Sequence, residues 1–146
     1  MNNMVYSLDG LHLTESFEGC RLVAYQDVKG IWTIGFGHTG VEVFPGMTIT
    51  QAQAEAFLAR DIIWAANFVN RNVTAQLTQH QFDAVVDLTF NIGVGNFLHS
   101  TLLKLINAGL PVQAALQFAR WSLARGKVIA GLARRRQAEQ ALFNQP

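Results

Sequence analysis

"FEGCRLVAYQDVKGIWTIGFGHTG", residues 17–40, is where the chain changes character. It carries two carboxylates, Glu18 and Asp27, and then Thr33, in an otherwise apolar, glycine-rich run. Residues 22–44 mix β-branched and aromatic side chains and are punctuated by Gly30, Gly35, Gly37 and Gly40. That pattern predicts a small β-hairpin or meander, closed by a turn at "FPG", 44–46. Just upstream, Leu8, Leu11, Leu13 and Phe17 give a rough apolar face to a short first helix, with Gly19 as its stop.

Helices are expected in the rest. Thr50 and Gln53 form a T-x-x-Q capping box, followed by Phe57, Leu58, Ile62, Ala65 and Phe68 at helical spacing. Thr78 and Gln81 repeat the box, with Leu77 and Phe82 placed for a hydrophobic staple, and that helix runs to Gly93. "VGNF" then predicts a turn, and Ser100 a cap for "TLLKLINAG". A further helix is expected after Pro111, and a last one over about 128–143. A small β-bearing lobe (about 22–44) set early in a mostly helical chain, with the first helix and a helical part of about 50–143, predicts an α+β fold in one domain.

The totals narrow the function classes. The chain has 146 residues, half of them apolar and 14% charged, the profile of one packed domain. No run of eighteen uncharged apolar residues predicts a membrane span, and "MNNMVYSLDG" has no basic-then-apolar signal pattern. The single cysteine, Cys20, cannot form an intrachain disulfide and is expected to be buried and inert. Residues 1–87 hold nine acids against four bases, whereas 88–146 hold seven bases against one acid. Such asymmetry points to a polyanionic target for the C-terminal half. Nucleic acid fits poorly, because no groove-reading motif accompanies the charge. An anionic wall, lipid or lipopolysaccharide engaged by basic C-terminal helices fits better, beside the plainer reading of a solvated basic face.

Glu18 falls at the C-terminal end of the first helix, where the helix dipole disfavours a carboxylate, and its neighbours Phe17 and Cys20 add desolvation. Both effects favour the protonated form that a general acid needs, although a surface glutamate with a weak dipole mismatch would read the same way. Asp27 suits a turn, and Thr33 suits a strand, with no function required of either. Taken together, a protonated and an ionised carboxyl facing each other are the glycoside-hydrolysis arrangement, and Thr33 returning beside Asp27 across a hairpin would hold a water. "GFGH" lacks the spacing of a phosphate-binding loop. His38 has no second His or Cys at ligand spacing, so a metal is not expected and a structural pairing with an acid is.

At this point the motifs resemble a known family. Glu-Gly, "RLVAYQD" and "GIWTIGFGHT" resemble the active-site segment of the phage-type lysozymes, the family 24 glycoside hydrolases, with acid, acid and threonine nine and then six residues apart. "FNIGVGNFLHSTLLKLINAG" and "RWSLARGKVIAGLARRRQAEQALF" resemble the central and C-terminal segments, so the likeness spans roughly residues 10–143. It implies a lysozyme-like fold with a cleft between lobes, no cofactor, and an endolysin that cleaves the β-1,4 bond between N-acetylmuramic acid and N-acetylglucosamine. Glu18 takes the place of the general acid, Asp27 of the carboxylate that orients water, and Thr33 of the residue that holds it. The resemblance further implies inversion, a monomer, saccharide contacts from Phe90, Asn91 and Ser100, and a structural ion pair at His38. A basic partner for Glu18 is usual, and Arg21, Arg125, Arg134 and Arg135 are all candidates. Membrane-tethered members begin with an apolar anchor. Without one, the chain is expected to gather in the host cytoplasm and reach the wall through a separate pore protein. A lytic transglycosylase and a non-enzymatic wall- or membrane-binding module are the rival expectations.

Overall fold

The computed structural model describes residues 2–146. It is α+β, as expected, and separates into two compact units: Leu11–Ile63, and the described residues up to Gly10 together with Trp64–Pro146. The unit boundary falls inside the first helix, α1 (Leu8–Glu18), which ends where Gly19 takes φ +67°.

The unit Leu11–Ile63 holds the sheet. Strands β1 (Arg21–Gln26), β2 (Trp32–Gly35) and β3 (His38–Thr39) form an antiparallel meander in that order. Helix α2 (Gln51–Asp61) starts at the expected capping box, with both the Thr50 side chain and the Gln53 side chain satisfying backbone N–H groups. It packs against β2 at close range: a Cβ on Gly35 would lie 3.3 Å from Ala54 Cβ, and Gly35 itself sits at φ +64°. Ile34, Ala54 and Leu58 are buried there. The helical run expected through Phe68 breaks at Ile62, whose N–H bonds to Arg60 and Leu58 carbonyls as the cap of α2; α3 (Ile63–Asn72) then begins anew.

The other unit is built on α4 (Gln79–Ile92), buried from Phe82 to Thr89 and packed along α8 (Ala130–Phe143). The second capping box forms at Thr78 and Gln81, each such cap being worth about 1 kcal/mol. Ser7 N–H and Oγ–H both donate to buried Asp83, and Ser7 Oγ accepts the Gly10 N–H, so this serine caps α1. Two expectations change. "VGNF" is not a turn but part of α5 (Val94–Leu98), because Gly93 at φ +91° ends α4 and at once starts the next helix. Ser100 caps α6 (Thr101–Asn107) as expected. The segment after Pro111 is not one helix: α7 (Pro111–Ala115) gives way to a 3₁₀ turn, Phe118–Trp121, and a hairpin of β4 (Leu123–Ala124) and β5 (Lys127–Val128). Arg125 at φ +52° and Gly126 at φ +77° make the two-residue turn such a hairpin needs. The final helix therefore starts at Ala130. Among the described residues no helix is long and apolar enough to cross a membrane.

Candidate active site

Glu18, Asp27 and Thr33 all belong to the unit Leu11–Ile63. Glu18 is the last residue of α1 and is half-buried. Its carboxyl lies beside the β2–β3 turn: a Cβ on Gly37 would come 3.9 Å from Glu18 Oε2. Gly37 sits at φ +82°, so a side chain there would be strained.

Asp27 builds the turn that carries it. Its Oδ1 accepts the N–H groups of Lys29 (2.8 Å) and Ile31 (2.9 Å), and its backbone exchanges further bonds with Ile31 and Gly30. The turn reading and the catalytic reading of Asp27 are therefore compatible: Oδ1 is fixed by the backbone, and Oδ2 makes no hydrogen bond to protein among the described residues. The register pairs Gln26 with Trp32 and Tyr25 with Thr33. Directly opposed residues share a face, and alternate residues do too, so Asp27, Tyr25, Ile31 and Thr33 lie on one face of the hairpin. Thr33 is buried, and its hydroxyl donates to the Ile31 carbonyl at 2.9 Å. With its hydrogen committed, that oxygen is left as an acceptor.

His38 is more heavily engaged than the sequence suggested. Nδ1 faces Asp61 Oδ2 at 2.7 Å and Nε2 faces Glu42 Oε1 at 2.6 Å, while the ring stacks on Phe57 at 4.2 Å. Glu42 is the unforeseen partner, and hydrogen bonds from its own backbone and then from His38 hold its carboxyl below the ordinary range. Cys20 departs from expectation: it is half-exposed rather than buried, because it lies just past the helix end, and its Sγ faces Gln51 Oε1 at 3.7 Å. Partial burial, then Glu55 and Glu15, push its thiol up, which still disfavours a reactive thiolate. Among the described residues no three His, Cys, Asp or Glu side chains gather to hold a metal ion.

Phe90, Asn91 and Ser100 belong to the other unit. Asn91 is exposed, and Phe90 is half-buried with its ring 5.8 Å from that of Trp64, an aromatic neighbour that periodicity alone did not single out. Ser100 is buried, and its hydroxyl donates to Phe97 O and accepts from Leu103 N, the two bonds of a helix cap. Of the four arginines considered as partners of Glu18, Arg21 lies over the Tyr25 ring at 4.4 Å, and Arg125 and Arg134 are exposed. Arg135 is buried and takes Asp87 in a two-pronged grip, 3.0 Å through Nε and 2.9 Å through Nη2. Arg136, also buried, holds Glu139 at 2.8 Å. Two of the C-terminal arginines thus point into the protein and do not form part of a basic face. Burial, then the adjacent Asp87 carboxylate, pushes the Glu139 carboxyl well up despite both guanidiniums.

Comparison with known proteins assigns the chain to a family. The model of the Phage lysozyme family matches residues 15–139. The chain belongs to the phage lysozyme family. It is 47% identical over 144 residues to the endolysin of Acyrthosiphon pisum secondary endosymbiont phage 1, covering 96% of this chain and 98% of that one. It is 44% identical over 143 residues to the endolysin of Bacillus phage PZA, covering 97% of this chain. It spans 55% of the PZA endolysin's length. The muramidase domain of SpmX from Asticaccaulis excentricus superposes with TM-score 0.92 at 38% identity, over 99% of this chain and 100% of that one. The fold is therefore that of a phage-type lysozyme, within a family of peptidoglycan hydrolases.

Proposed function

We propose that this phage-type lysozyme acts as an endolysin muramidase, hydrolysing the β-1,4 bond from N-acetylmuramic acid to N-acetylglucosamine with inversion. The observation that carries the reading is the shared hairpin face of Asp27 and Thr33, in the same unit as a glutamate that ends α1. Glu18 is the general acid, giving its proton to the leaving glycosidic oxygen. Asp27 and Thr33 hold the attacking water. Because the Thr33 hydroxyl already donates to Ile31 O, the water donates one hydrogen to Thr33 Oγ1 and the other to the free Oδ2 of Asp27. Its lone pair is then left for the anomeric carbon. Asp27 takes up the proton as the bond forms, and its negative charge steadies the oxocarbenium-like transition state. Two carboxylates in acid and base roles predict a pH–rate profile that falls on both sides.

On the other unit, Phe90 and Asn91 are proposed as saccharide contacts, an aromatic face and an amide suited to N-acetyl sugars, and Ser100 supports them by capping α6. Exposed Arg120, Arg125, Lys127 and Arg134, with exposed Leu123 and Val128 on the β4–β5 hairpin, suit attraction to the anionic wall or to anionic lipid. We propose that the chain works as a monomer.

The test is Glu18→Gln. The variant keeps its fold and loses clearing of purified peptidoglycan by at least about 100-fold, the scale of a lost general acid. Clearing at the parent rate would remove the assignment.

A further inference from the structure

We propose that Arg21, seated on the Tyr25 ring, binds a carboxylate of the peptide stem that the muramic acid residue carries. This deepens the reading above and rests on Asp27 and Thr33 marking the reacting face of the hairpin. Tyr25 is the cross-strand partner of Thr33, and the Arg21 guanidinium carbon lies 4.4 Å from the Tyr25 ring centre. Arg21 is thereby carried on the same face as the proposed base. It is exposed, and among the described residues its guanidinium makes no ion pair or hydrogen bond with the protein. Five N–H donors are left for an outside acceptor.

The surroundings make this cation unusual. Leu11–Ile63 holds six acids and only three bases, Arg21, Lys29 and Arg60. Arg60 stands on α2 over Phe57, and Lys29 lies at the hairpin turn. An anionic substrate is repelled by such a unit unless a cation meets its charge locally. N-acetylglucosamine is neutral. N-acetylmuramic acid bears a lactyl group that either ends in a carboxylate or continues into a peptide with free carboxylates. The contact with the Tyr25 ring restrains the exposed side chain, so less freedom is lost when a planar carboxylate takes two of its N–H groups. The stem's carboxylates lie beyond the lactyl group and are distinct from the lactyl carboxylate that an amidase leaves behind.

The experiment compares kcat/KM on stem-bearing glycan strands with that on the same strands after an amidase has removed the peptides. The ratio is internal to each variant, so a loss of folded protein cancels. Arg21→Gln lowers the ratio about fivefold through KM, as expected for a partly solvated charged contact, and Arg21→Lys retains part of it. The loss shrinks at high salt. An unchanged ratio in Arg21→Gln overturns the proposal. Glu18→Gln on both substrates tests the underlying reading separately: if it hydrolyses both as the parent does, the catalytic assignment fails whatever the Arg21 ratio shows.

Discussion

Replacing Asp27 with Asn and with Ala separates two jobs done by one side chain. Oδ1 accepts the Lys29 and Ile31 N–H groups, and an asparagine oxygen can accept both, whereas alanine accepts neither. Each bond to a charged acceptor is worth more than a neutral one, but Asp27 is only half-buried and water competes for the freed amides. The loss in Asp27→Ala is therefore about 1–2 kcal/mol. A chain of this size unfolds with an entropy of about 0.3 kcal/mol/K, so the melting temperature falls by about 3–6 °C. Asp27→Asn keeps both bonds without their charge assistance, so its melting temperature falls about half as far, by about 1–3 °C. Both variants lose peptidoglycan hydrolysis by at least about 100-fold, because neither has a carboxylate to receive the water's proton. Thermal unfolding followed by circular dichroism gives the first result, and release of reducing ends gives the second. Equal melting temperatures for Asn and Ala would refute the anchoring role of Oδ1. Parent activity in the stable Asn variant would refute the chemical role of Oδ2.

Two further predictions concern the buried charges of the α4–α8 pair. Asp87→Ala leaves Arg135 buried without its two-pronged partner and costs about 3–5 kcal/mol, read by urea unfolding. Glu139 has its folded carboxyl pushed up, so between the ordinary glutamate range and its raised value the native state holds a proton that the unfolded chain has lost. Stability therefore falls as pH rises through that window, and Glu139→Gln flattens this part of the stability–pH curve.

What the sequence made legible was local. Both capping boxes join residues three apart, and both form, because the side chain and the N–H it satisfies are set by the same turn. Gly19 and Gly93 mark helix ends because a positive φ costs glycine little. Asp27 and Thr33 were readable because a short hairpin fixes which residues share a face. The breaks were less readable. Ile62 is apolar and at helical spacing, yet it caps α2 and separates it from α3, since periodicity reports burial and not continuity. The stretch from Pro111 to Val128 looks helical until Arg125 and Gly126 take the turn conformation of a hairpin. Charge was the hardest to read. Arg135 and Arg136 lie in a basic run, but Asp87, 48 residues away, and Glu139 draw them inside. Nothing in their spacing announces that pairing. The second carboxylate on His38 and the Trp64 ring beside Phe90 were missed for a similar reason, both being set by how elements pack.

The most direct measurement is the configuration of the new reducing end at the earliest times of peptidoglycan hydrolysis, followed by proton NMR before mutarotation. A water held between Asp27 and Thr33 attacks opposite the departing oxygen, so the account predicts a free N-acetylmuramic acid end that appears first as the α-anomer. A β-anomer appearing first, or a 1,6-anhydro end, would contradict it.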